Sequence, residues 1–171
     1  MLSLEEMILR LIAAIILGAV IGLEREISGK EAGIRTDIIV AAGAAIFAIA
    51  GLTLPYLIAL NPENLAEILA RNSGFLTVIA NVVIGIGFLG AGIIVKHGVH
   101  VRGLTTAATV WYVAAVGVLC GIGLIKFAVI AALGTVLILA VLRKIDLYKL
   151  LGKEEHDHLR TDIEEEQDKR E

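Results

Sequence analysis

The chain has 171 residues, 57% of them hydrophobic and 19% charged, with a formal net charge of −3. Soluble domains carry about a quarter charged residues, so this composition excludes an ordinary soluble fold and gives no basic surface for nucleic acid. The only cysteine, Cys120, excludes an intrachain disulfide and a cysteine zinc site.

The first apolar run, residues 7–23, follows an acidic start and ends in charges, so it reads as a retained helix and not as a cleaved leader. Arg10, near its outer end, can snorkel to the headgroups. Uncharged stretches then lie between Asp37 and Glu63, Arg71 and Lys96, and Arg102 and Lys126. Each is long enough to cross a hydrocarbon core, which takes about 20 residues. They predict spans at 38–60, 75–95 and 104–121, with a fifth at 124–142. Backbone groups in lipid must be satisfied internally, so the spans are helices. The expected fold is an all-α integral membrane protein: a five-helix transmembrane domain over 1–145, then a charged tail over 146–171. A short interfacial helix is expected over 62–72, from apolar residues at 65, 68 and 69.

Loop bases set the orientation. Arg25, Lys30 and Arg35 follow span one, Lys96 and Arg102 follow span three, and Arg143, Lys144 and Lys149 follow span five. The N-terminus is therefore expected outside, with loops one and three and the C-terminus in the cytoplasm. An echo at an offset of 70 pairs Gly22, Gly33, Ile34, Thr36 and Val40 with Gly92, Gly103, Leu104, Thr106 and Val110. It hints at a repeated helix–loop–helix unit.

Small residues recur in the spans. Gly18 and Gly22 form a GxxxG, as do Gly117 and Gly121, and Gly85, Gly87, Gly90 and Gly92 crowd span three. Close backbone approach supplies much of the packing energy between helices in lipid, so these glycines read as packing surfaces, and the GxxxG faces favour a homodimer. Glycine costs about 1 kcal/mol against alanine in a helix interior, so the run in span three also reads as a ligand-site lining or a dimer face. Asn81 in that span needs a hydrogen-bond partner, either a neighbouring helix or a ligand. Thr105, Thr106 and Thr109 can each bond back to the preceding turn and lie on the side of loop one.

The segment GLEREISGKEAGIRTD, residues 22–37, gathers four acids and three bases directly after span one. Lipid anchoring accounts for Arg25, Lys30 and Arg35 but not for the acids. Glu24 and Glu26 are expected either to pair with Arg25, Arg35 or Arg102 or to bind a cation together with Asp37, since Mg²⁺ needs only one or two carboxylates. No Asp, Glu or His lies mid-span, which counts against a conventional ion-coupled transporter. No nucleophile–base pair is found, so no enzyme is expected. In the tail, His156, Asp157 and His158 form a weak metal-binding pattern.

The stretches GLEREISGKEAGIRTDIIVAAGAAIF and NVVIGIGFLGAGIIVKHGVHVRGLTTAATVWYVAAVGVLCG together resemble the membrane domain of the MgtC/SapB family, over roughly residues 8–142. The resemblance implies a multi-pass protein of a bacterial or archaeal inner membrane, a regulator or binding module in magnesium-linked ion homeostasis. Some relatives are tied to survival in macrophages, and the ATP synthase is among the implied partners. Carried over by position are Glu24, Arg25, Glu26, Gly29, Lys30, Gly33, Arg35 and Thr36 in the first stretch. In the second they are Gly85, Gly87, Phe88, Gly90, Gly92, Arg102, Gly103, Thr105, Thr106, Thr109 and Trp111. Asp37 and Asn81 depart from the common family residues, His and Gln. Many members also carry a soluble domain after the fifth helix, where this chain has its short tail. The rival expectation is a permease for Mg²⁺ or another small solute, with its pathway between spans one and three.

Overall fold

The structure, a computed structural model, describes residues 2–59, 68, 74–97 and 100–144. The expected interfacial helix over 62–72, apart from position 68, and the tail over 146–171 with its histidines lie outside the described residues. Among the described residues, five helices are long and apolar enough to cross a membrane: α1 (Leu4–Ile27), α2 (Ile34–Ile58), α3 (Gly74–Ile93), α4 (Leu104–Gly121) and α5 (Ile125–Lys144). Between α3 and α4 lies an antiparallel ribbon of β1 (Val95–His97) and β2 (His100–Arg102). The sequence reading treats that segment as plain loop.

Two compact units are distinguished, residues 1–136 and 137–171. Of the second, the described residues are the last eight of α5, which include Arg143 and Lys144.

Within the first unit, local chemistry sets the helix ends. Ser3 and Glu6 form a capping box: the Ser3 hydroxyl accepts from the Glu6 amide at 3.2 Å and the Glu6 carboxylate accepts from the Ser3 amide at 3.1 Å. At the far end of α1, Gly29 takes a left-handed φ of 64°. Its amide bonds to the Glu26 carbonyl, and the Lys30 amide to the Arg25 carbonyl. These are the two bonds of a Schellman stop. The same device closes α4, with Gly123 at φ 91° and bonds from Gly123 to Cys120 and from Leu124 to Leu119. Gly33 and Gly103, one of the pairs in the offset-70 echo, are the N-caps of α2 and α4.

The core is built on α2, which packs against α1, α3 and α4. Ala41, Ala44, Ala45 and Ala48 of α2 are buried with Ala14, Leu17 and Ile21 of α1 and Val110, Val113 and Ala114 of α4. Both GxxxG motifs lie in these contacts. A Cβ on Gly18 would stand 2.6 Å from the Asp37 carbonyl oxygen, and one on Gly22 2.6 Å from the Ile34 Cα. Likewise Gly117 abuts the Ala41 carbonyl, and a Cβ on Gly121 would lie 2.6 Å from Ala48 Cβ. These four glycines are therefore used within the chain, and the homodimer surface expected from them is not free. In α3, by contrast, only Gly90 is buried, while Gly85, Gly87 and Gly92 face open space. Outward-facing Ile84 and Phe88, the latter 85% exposed, complete an apolar exterior suited to lipid.

Arg10 does more than snorkel. Its guanidinium donates to the Gly121 carbonyl at 2.9 Å, and Gly123 leaves room for its approach. A cation thus meets the negative end of the α4 dipole.

Candidate functional site: a buried charge cluster where α1 meets α2

Helix α1 runs on to Ile27 and α2 begins at Ile34. The charged stretch is therefore mostly helical, and the connecting turn is residues 28–33. Because Gly18 and Gly22 let the two helices touch at backbone distance, side chains on the facing surfaces cannot reach water. Glu24, Arg25 and Asp37 retain only 8%, 3% and 0% of their exposure.

The Glu24 carboxylate accepts the Ser28 hydroxyl at 2.6 Å and lies 3.6 Å from an Arg25 guanidinium nitrogen. Among the described residues, Arg25 Nε and Nη2 and both Asp37 carboxylate oxygens are buried with no hydrogen-bond partner. Buried polar groups are almost always paired, so these four atoms mark the cluster as unusual.

Around it, loop one is tied to both adjoining helices. Glu26 Oε2 accepts from the Ile34 amide at 2.9 Å, capping α2 from eight residues upstream. Glu31 Oε2 accepts the Thr106 hydroxyl at 3.1 Å, joining the turn to the first turn of α4. A hydrogen bond within Glu31 itself, then the Thr106 hydroxyl, holds the Glu31 carboxyl below its ordinary value of 4.5. Thr109 bonds back to the Thr105 carbonyl at 2.8 Å, as its residue type predicts.

The expected site residues therefore separate into groups. Glu24, Arg25 and Asp37 lie together in the interior, and Glu26, Glu31 and Thr106 frame them. Thr36 is half-buried and Thr105 exposed, while Lys30, Arg35 and Arg102 face outward. Glu26 pairs with neither Arg35 nor Arg102, because its carboxylate caps α2. Glu24, Glu26 and Asp37 do not converge into one group: no set of three such ligands occurs among the described residues. One carboxylate is occupied by Ser28, one by a helix end, and the third is sealed inside. Asn81 lies far from the cluster, exposed on a groove of about 640 Å³ between α2 and α3 that Ile39, Gly43, Phe47, Val78 and Gly85 also line. No hydrogen bond ties its amide to another described residue. Spans one and three share their main packing partners: α1 packs on α2 and α4, and α3 packs on the same two helices. Glu31 is the framing residue the sequence reading passes over. Its position between two glycine turns, three residues before α2, was the available signal.

Comparison with known proteins bears on the whole of this region. The family model described as MgtC family matches residues 11–148. Protein MgtC of Salmonella typhimurium (strain 14028s) is 45% identical over 126 residues, 74% of this chain and 48% of that protein. Protein MgtC of Brucella abortus (strain 2308) is 44% identical over 133 residues, 78% of this chain and 50% of that protein. The chain thus spans about half the length of the curated relatives it matches. No solved structure matches it. The five apolar helices and these relatives make this a multi-pass membrane protein.

Proposed function

The chain belongs to the MgtC family, and from that membership we propose a regulator or binding module in magnesium-linked ion homeostasis at a bacterial or archaeal inner membrane. The buried Glu24–Arg25–Asp37 cluster is its working centre. The observation that carries this is the set of unsatisfied atoms on Arg25 and Asp37. Ionisable groups inside a membrane bundle are costly and mark functional sites, and each unmet hydrogen bond costs about 1–3 kcal/mol. A partner that shifts α1 against α2 and satisfies those atoms would recover that energy. The cluster therefore gives the helix pair a reason to have two arrangements that a partner can choose between. In this reading Mg²⁺ is the ion whose supply is regulated, and the partner is another membrane protein, the ATP synthase among those the resemblance implies.

The test is made with purified protein in vesicles and in parallel by affinity capture from membranes. The binding module gives no Mg²⁺ flux and captures a membrane partner that Arg25→Ala releases. Mg²⁺ flux that Glu24→Ala abolishes, with no captured partner, overturns the reading in favour of a permease.

A further inference from the structure

The β1–β2 ribbon carries a second surface, independent of the buried cluster. It leaves the end of α3 and enters α4 through Gly103, and the Glu31–Thr106 bond puts loop one at the same end of the bundle. The accessible charge at this end is positive. Lys30, Arg35, Lys96 and Arg102 are exposed, and among the described residues none has an ion pair or hydrogen bond through its side chain. Glu24 and Asp37 are enclosed, while Glu26 and Glu31 are exposed and hydrogen-bonded to the Ile34 amide and the Thr106 hydroxyl, so four exposed bases stand against two exposed acids and the balance is positive.

The strand register adds apolar surface to that charge. Val95 stands opposite Arg102 and Lys96 opposite Val101. Residues directly opposite in an antiparallel pair share a face, so each face of the ribbon sets one valine beside one base. Both valines are open, at 46% and 45% exposure, and Ile94 and Leu104 at the two roots of the ribbon are exposed as well. A soluble anion would engage the bases and leave these side chains in water. The boundary between headgroup and acyl chain offers phosphate to the bases and hydrocarbon to the valines, at the depth where two spanning helices end.

We propose that the β1–β2 ribbon, through Lys96 and Arg102 flanked by Val95 and Val101, docks on the headgroups of anionic phospholipid. The ribbon then fixes the depth of α3 and α4 in the bilayer.

The full chain, reconstituted with Val95→Trp in a Trp111→Phe background, reports the local lipid by tryptophan quenching, because Trp111 is the only native tryptophan. Brominated phosphatidylglycerol is expected to quench position 95 in preference to brominated phosphatidylcholine. Lys96→Gln and Arg102→Gln should each cut that preference roughly fivefold, equivalent to about 1 kcal/mol per base, and inorganic phosphate should not compete. Equal quenching by the two lipids, quenching by neither, or displacement by inorganic phosphate overturns the proposal. Native mass spectrometry avoids the tryptophan exchange: the natural sequence should retain phosphatidylglycerol adducts that the K96Q/R102Q double variant loses. Equal adducts on both proteins again overturn it.

Discussion

The α1–α2 junction and the α3–α4 junction lie at the same end of the bundle and treat charge in opposite ways. At the first, Gly18 and Gly22 bring two helices to backbone contact, and Glu24, Arg25 and Asp37 are enclosed. At the second, the glycines of α3 other than Gly90 touch nothing, and Lys96 and Arg102 face outward on a short ribbon. Glycine therefore does not itself determine burial. What decides is whether a neighbouring backbone occupies the space that the missing side chain leaves.

The sharpest way to break this contrast is to remove one base from each junction. Arg25→Met leaves the buried Glu24 carboxylate without the guanidinium 3.6 Å away and is expected to cost about 3–5 kcal/mol. Arg102→Met, on the surface, should stay within about 0.5 kcal/mol. Thermal unfolding in detergent measures both, and equal losses would end the distinction. The glycines come next. Gly117→Leu pushes against the Ala41 backbone and should cost about 1–3 kcal/mol, whereas Gly87→Leu has open space and a better helix former. The latter should unfold no earlier than the natural sequence.

Five spans were legible from the sequence because the length of an uncharged run limits what can cross a bilayer. The charged stretch from Gly22 to Asp37 was equally visible. The direction of its side chains was not, because that depends on α1–α2 spacing, which Gly18 and Gly22 set only once the Asp37 and Ile34 backbones are against them. Asp37, read as a loop-edge ligand, is for this reason sealed, and Glu26 serves α2 as a cap. The ribbon escaped because three-residue strands give too short an alternation to separate from loop, with Val95 and Val101 the available signal. Arg10 is legible as an interfacial residue, but its partner, the Gly121 carbonyl, is 111 positions away and no local pattern announces it.

Arg10→Gln sharpens the picture at the opposite end of the bundle. Loss of the charged hydrogen bond to Gly121 should cost about 1.5 kcal/mol, less than the loss at Arg25. The smallest expected effect is at the turn. The Glu31 carboxyl is held below 4.5 in the fold, so its contribution is complete above that pH and is lost as pH falls through the lowered folded value. Thr106→Val should shrink this acid-dependent loss in a pH series of melting temperatures. An unchanged acid dependence would show that the Glu31–Thr106 bond does not tie the turn to α4.

The most direct test of the enclosed cluster is labelling with a membrane-impermeant maleimide, with native Cys120 buried and silent. Single cysteines at positions 30, 37 and 96 are compared in oriented vesicles. Lys30→Cys and Lys96→Cys should label rapidly from one and the same side, with Asp37→Cys unreactive until the protein is unfolded. Rapid labelling of Asp37→Cys in the folded protein, or labelling of positions 30 and 96 from opposite sides, would contradict the account.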